Sequence, residues 1–430
     1  MYFLYNILLL IVAIILFPYY LIVVLFKGKY RKSIIPKLGG RQAEIFARLK
    51  SKKRLWIHAV SVGEVTAAAP IVEALKNKVP DADIVFSTST ETGQQMARSL
   101  IKGASAFIYF PLDFPCVVSN VLKTAAPDVF VMVETEIWPN FLKACQAQGV
   151  KTLMVNGRIS PRSYGKYRLT AFFWKRIFAG LTAVAMITEV DARRMKKIGM
   201  PADKVTVMGN AKYDGLAARI SDQLRDETCR RLNARKDERF FVAGSTHPKE
   251  EEIIIRVYRR ILDLYPYYNL IIVPRHIERS SAVIDLLGQN GFTDVITLSK
   301  INRGKMRSGE RIIVVDVIGE LFKIYCVATV VYCGGSLVPK GGQNILEAAA
   351  WGKFIFYGPS MEDFSEEKKL LEEAGCAMTV KNARDLQKKI LQVLRDEAGL
   401  EQRGAPGKAV VAANKGAAGR YAEMIEKFLG

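Results

Sequence analysis

From residue 55 onward, short apolar runs recur along the chain, each closed by a polar turn and followed by a stretch with helical spacing. A first series lies at 55–60, 84–88, 129–134, 151–156 and 183–188, and a second at 239–246, 269–275, 311–316, 328–336 and 353–358. Unbroken apolar runs of this length read as strands buried on both faces. Strands that alternate with helices predict parallel sheet joined by right-handed crossovers. Between the two series lies a highly charged stretch, "LAARISDQLRDETCRRLNARKDE", which predicts a helical linker over 216–238. The pattern therefore predicts an α/β chain with two doubly wound, Rossmann-like domains at 55–215 and 239–410. The last residues, 411–430, read as a terminal amphipathic helix. Ligands of open α/β sheets bind beyond the carboxyl ends of the strands, so two such domains facing a cleft would put the functional turns there.

The first 26 residues, "MYFLYNILLLIVAIILFPYYLIVVLF", carry no charge. About 20 apolar residues suffice to cross a bilayer as a helix. Residues 27–54 then hold eleven Lys/Arg against one Glu. This predicts a membrane anchor at 1–26, with a basic segment at 27–54 that attracts anionic lipid. The positive-inside rule puts residues 27–430 in the cytoplasm, with a short N-terminal tip outside. The formal net charge of the 430-residue chain is +21. Six cysteines without a C-x-x-C pair argue against a disulfide frame or a zinc site, and three histidines argue against a His-rich metal centre.

Several strand ends carry chemistry-bearing residues. Glu64 follows the first run in "HAVSVGEV", where it could cap the next helix or act as a general base toward a hydroxyl. Glu134 and Glu136 follow the third run, and two positions apart on a strand they would leave it on the same side. "STSTETG" at 87–93 is a polar turn suited to an anion or to a helix cap at Thr90. Lys212 sits in "GNAKYD". Residues 157–178 interleave Arg158, Arg162, Lys166, Arg168, Lys175 and Arg176 with Tyr164, Tyr167, Phe172, Phe173 and Trp174 and hold no acid, which suits a phosphorylated lipid at a membrane face or nucleic acid. In the second half, Arg275 and His276 follow a strand, and an Arg there can hold a phosphate bidentately. The Gly-rich turn of "YCGGSLVPKGGQNILEAAAWGK" lets backbone N–H groups approach a phosphate, with Asn344 and Glu347 just beyond it. The absence of a GxxxxGK[ST] loop, and of GxGxxG after the first strand, argues against an ATPase or a simple dehydrogenase.

Taken in order, "HAVSVGEV", "STSTETG", "FPLDFP", "VETEIWPN", "NGRIS", "GNAKYD", "AGSTHPKEEE", "VPRHIER" and "GGSLVPKGGQNILEAAAWGK" resemble the bacterial 3-deoxy-D-manno-octulosonic acid (Kdo) transferases over about residues 50–360. The resemblance implies the two-domain GT-B glycosyltransferase fold. It also implies inverting, metal-independent transfer of Kdo from CMP-Kdo to the lipid A precursor lipid IVA, on the cytoplasmic face of the inner membrane. By the same resemblance, Glu64 matches the general base, while Glu134 and Lys212 match residues that stabilise the transition state. Pro274, Arg275, Ile318, Gly319, Glu320, Asn344, Ile345, Leu346 and Glu347 match the CMP-binding set. No metal or cofactor is implied, and nucleic acid is not an expected partner. The chain departs from the family's common "GGHNPLE", with Gln343 and Ile345 in place of His and Pro. Two other readings stand beside this one: a GT-B transferase using another nucleotide sugar and a lipid-linked acceptor, and a non-catalytic membrane-bound binder of anionic ligands.

Overall fold

A computed structural model describes residues 2–26, 33–40 and 42–429. Residues 27–32 and 41 of the basic segment, and the side chain of Arg162, lie outside the described residues. The chain forms two compact units. One runs to Gly215 and takes back the chain from Asn414 on; the other is Leu216–Ala413.

The first unit holds seven strands: β1 (Arg54–His58), β2 (Asp83–Thr88), β3 (Ala106–Tyr109), β4 (Val129–Val133), β5 (Lys151–Gly157), β6 (Ala183–Met186) and β7 (Val205–Val207). Their order is β3-β2-β1-β4-β5-β6-β7, and every pairing is parallel. Helices cover both faces, which is why the central strands are apolar throughout: all five residues of β4 are buried. On one face Trp56 packs edge-on against Phe130 and Phe141, with ring centroids 6.0 and 5.1 Å away. The other face is closed by the helix Val62–Lys78 and by the terminal helix Ala417–Leu429, whose Tyr421 and Ile425 are fully buried in the same core. Tyr421 also donates to the Gly209 carbonyl at 2.6 Å, and Asp214 accepts from the Gly416 N–H at 2.7 Å.

The second unit repeats the plan with β8 (Arg239–Thr246), β9 (Tyr268–Pro274), β10 (Val295–Thr297), β11 (Ile312–Val314), β12 (Val330–Cys333), β13 (Phe354–Tyr357) and β14 (Ala377–Thr379). Their order is β10-β11-β9-β8-β12-β13-β14. β3, β7, β10 and β14 were not expected from the apolar pattern. They are three or four residues long and lie at the sheet edges, where one flank has no strand to bury. The stretch 216–238 contains part of one helix, Lys212–Arg219, and another, Asp222–Arg231.

In each sheet the strand order reverses direction about one point. Successive strands step one way from β1 and the other way from β4; in the second sheet β9, β11 and β10 lie to one side of β8, and β12, β13 and β14 to the other. The turns leaving these pairs diverge to opposite faces, which opens a crevice at the carboxyl ends of the strands. Those turns are the ones that carry Glu64, Glu134, "AGSTHPKEEE" and "GGSLVPKGG".

Candidate active site

The β1 turn places Glu64 at the third position of the helix Val62–Lys78, with Ser61 at its N-cap. This is the Ser-x-x-Glu spacing of a capping box. The carboxylate reaches back to accept from the Val60 N–H at 2.6 Å and from the Ser61 hydroxyl at 2.8 Å. The Ser61 hydroxyl donates to Glu64 rather than accepting from the helix, so the usual capping-box bond of the serine is absent. Glu64 is only 8% exposed. Burial, and then the neighbouring Glu134, push its carboxyl up from the usual value to about 7, against the opposing pull of Val60, Ser61 and Lys212. Among the described residues no side chain caps the first-turn N–H groups of this helix. The Val60 and Ser61 donors fix the carboxylate, and burial sets its basicity.

Strand β4 ends at Val133. Glu134 continues the ladder by donating its N–H to the Val155 carbonyl at 2.9 Å, but with φ 62° it turns into the left-handed region. A non-glycine residue held there carries strain, a feature that clusters at functional sites. The turn also corrects the expectation that strand alternation puts Glu134 and Glu136 on one side, because neither residue belongs to the strand. Glu134 accepts from Lys212 Nζ at 2.8 Å. Lys212 is delivered from the far side of the sheet by Asn156 at the end of β5, whose side-chain oxygen accepts the Ala211 N–H at 2.9 Å. Glu64, Glu134 and Lys212 thus share one electrostatic field. Glu136 joins them: burial, then Glu64 and Glu134, push its carboxyl up to about 8. The sequence showed Glu136 but gave no sign that it would feel Glu64, because that proximity arises only from the adjacency of β1 and β4.

In the second unit the candidate donor residues follow the ends of three strands around β8. Pro274 ends β9 and is buried; Arg275 is exposed, its N–H donating to the Thr246 carbonyl at 2.9 Å. Ile318 is 52% exposed and Gly319 has φ 84°, where a side chain would be strained. Glu320 is engaged by Arg231 at 2.7 Å and Lys323 at 3.0 Å. Burial pushes its carboxyl up, but these two cations outweigh burial and hold it below the usual range. Ile345 and Leu346 are buried in the core, so any ligand contact would have to use their backbone. Asn344 accepts from the Leu346 N–H at 3.1 Å and donates to Glu347 at 3.4 Å.

The organiser of this end of the sheet is Glu250, which the sequence showed only as part of an acidic helix start. Fully buried, it accepts from the backbone N–H groups of His247, Gly335, Ser336 and Leu337 and from the Tyr332 hydroxyl, all between 2.7 and 3.1 Å. It thereby ties the β8 turn to the Gly-rich β12 turn. Gln343 lies over Gly335: a side chain at Gly335 would meet Gln343 Nε2 and His247 Cδ2 at 3.3 Å each. A cavity of about 740 Å³ in this unit, lined by residues including Arg225, Trp351, Lys353 and Lys408, contains none of the candidate residues. Among the described residues no three His, Cys, Asp or Glu side chains converge to hold a metal ion.

Comparison with known proteins places this geometry in context. The family model for 3-deoxy-D-manno-octulosonic-acid transferase (kdotransferase) matches residues 37–215. A 3-deoxy-D-manno-octulosonic acid transferase of Haemophilus influenzae is 29% identical over 87% of both chains. One of Chlamydia trachomatis serovar A is 28% identical over 86% of this chain and 84% of its own. Among solved structures, a glycosyltransferase from Rickettsia africae covers 88% of this chain and 98% of its own at a TM-score of 0.56 and 14% identity. That is a likeness of fold alone, and the fold is GT-B-like. With motifs in family order and relatives aligned along most of its length, the chain is similar to the bacterial Kdo transferases, a family of glycosyltransferases.

Proposed function

We propose that this chain transfers Kdo from CMP-Kdo to the lipid A precursor lipid IVA at the cytoplasmic face of the inner membrane, with inversion and without a metal ion. The observation that carries the reading is Glu64: a carboxylate fixed by Val60 and Ser61, pushed up to about 7, at the switch point of the first sheet. A base whose acidity lies near the working pH takes a hydroxyl proton most effectively. The acceptor oxygen attacks the anomeric carbon of Kdo as its proton passes to Glu64, and the bond from that carbon to the phosphate breaks to release CMP. Lys212, held by Glu134, stabilises charge developing in this step. On the donor side Arg275 takes the phosphate of CMP, while Pro274, Ile318, Gly319, Glu320, Asn344, Ile345, Leu346 and Glu347 take its nucleoside. Ile345 and Leu346 act through the backbone, since their side chains are in the core. The apolar N-terminal helix and the basic segment keep the enzyme on anionic lipid.

The test is to incubate the detergent-solubilised protein with CMP-Kdo and lipid IVA and to weigh the lipid product. A mass gain of Kdo units is expected. Transfer from a UDP-sugar with none from CMP-Kdo would overturn the donor assignment.

A further inference from the structure

The helix Tyr2–Phe26 is long and apolar enough to cross a membrane, with a mean hydropathy of 2.2 over its first 18 residues. Its first two turns, however, are docked on the first unit. The Tyr5 hydroxyl donates to Asp113 Oδ2 at 2.8 Å, and Asn6 Oδ1 accepts from Asn140 Nδ2 at 2.6 Å. The Tyr5 ring lies 6.3 Å from Phe173, and Lys143 Nζ sits 4.6 Å from the Tyr2 ring. Asp113 is only 3% exposed and also accepts the N–H groups of Asn140 and Phe141 at 3.0 and 2.8 Å. The motif "FPLDFP" thus supplies a buried anchor point for the start of the helix. Tyr2, Tyr5, Asn6, Leu9 and Ala13, the partly covered residues of the first half, fall on one helical stripe. The chain leaving the other end also meets this unit: Ser33 bonds Glu91 at 3.2 Å, and the Lys37 carbonyl accepts from Leu112 at 2.8 Å.

A 25-residue helix is about 37 Å long, more than the ~30 Å hydrocarbon core of a bilayer. A helix that crossed would put its two ends on opposite sides, and its N-terminal end could not reach a globular unit on one side. We therefore propose that this helix does not cross the membrane. It lies in the interface of a single leaflet, clamped along one stripe to the first unit, with the opposite stripe in lipid. The uncovered stripe includes Phe3, Leu4, Leu8 and Ile15, exposed by 59 to 77%. Next to the docked end, Leu169 and Phe172 are 83% and 77% exposed, with exposed Lys166, Arg168, Lys175 and Arg176 around them. Apolar side chains rimmed by cations fit a leaflet containing anionic lipid. This inference goes beyond the proposed reaction, and its test does not use transfer activity.

The full-length protein, carrying one cysteine ahead of residue 1 on a short Gly-Ser linker, is treated with a membrane-impermeant maleimide in intact spheroplasts and after lysis. The exposed Cys116 of the globular unit is the internal control. The added cysteine is expected to label only with Cys116, on the same side; labelling on the opposite side would overturn the proposal. In flotation with vesicles of phosphatidylethanolamine with or without phosphatidylglycerol, anionic lipid is expected to strengthen binding. Each Lys or Arg of 166–176 changed to Gln should weaken it about fivefold. Flotation indifferent to anionic lipid, or a stable dimer that no longer floats, would instead assign the apolar stripe to a second copy and overturn the proposal.

Discussion

Glu64 allows a prediction whose direction the structure fixes in advance. With its carboxyl near 7, the group is about nine-tenths protonated at pH 6 and nine-tenths ionised at pH 8. The transfer rate under donor-limited conditions should therefore fall about tenfold per pH unit below 7. The two neighbours act on this limb in opposite senses. Glu134 raises the carboxyl of Glu64 and Lys212 lowers it, so Glu134→Gln should move the limb to lower pH and Lys212→Met to higher pH. Each shift should be roughly one pH unit, equivalent to about 1.4 kcal/mol of interaction. Both variants lose rate if Glu134 and Lys212 stabilise the transition state, but the position of the limb separates their effect on Glu64 from that loss. The assay is a pH–rate profile of product formation from CMP-Kdo for the wild type and the two variants. Glu64→Gln should lose turnover while still binding CMP. A limb that stays in place in both variants, or a Glu64→Gln enzyme that turns over normally, would refute the reasoning.

Other outcomes follow from the same contacts. The folded state holds the carboxyls of Glu64, Glu136 and Asp113 up at about 7, 8 and 6. Between about pH 4 and 8 the folded chain therefore binds more protons than the unfolded chain, and these groups cost stability as pH rises through that window. Melting curves at pH 8 should thus show Glu64→Gln more stable than wild type, by on the order of 1–3 kcal/mol, even as it loses activity. Glu250→Gln should do the opposite: it weakens a carboxylate with five donors and should cost about 3 kcal/mol or more, visible in denaturant melts. Gly358→Ala should also destabilise strongly, because its Cβ would lie 2.2 Å from the Ser336 carbonyl oxygen, a backbone atom that cannot move aside cheaply. An unchanged melting temperature in that variant would show that the β12–β13 turns are softer than they look.

The sequence displayed the central strands plainly, because strands such as β4 and β9 are buried along their whole length and must be written as apolar runs. It hid the edges, where three-residue strands such as β10 leave too short a signature. Glu64, Glu134 and Lys212 were legible from the family motifs, and the electrostatic coupling among them depends on which strands are neighbours. Glu136 was visible as a strand-end carboxylate, but its coupling to Glu64 and the organising role of Glu250 were hidden for that same reason. Glu136 is perturbed by a residue more than seventy positions earlier, and Glu250 holds a turn more than eighty positions later. The left-handed backbone of Glu134 has no signature at all, since nothing in "VETEIWPN" marks a non-glycine residue for positive φ.

The return of the terminal helix to the first unit, with Tyr421 and Ile425 in its core, makes that unit discontinuous in sequence and the second unit an insertion within it. The consequence for dissection is asymmetric. A contiguous piece spanning 216–413 carries all of its own strands and is the natural fragment on which to test the proposed nucleotide binding. The region matched by the family model, 37–215, is not a viable fragment alone: without residues 414–430 it would bare the apolar face of the helix Val62–Lys78 and should aggregate unless that helix is spliced back on.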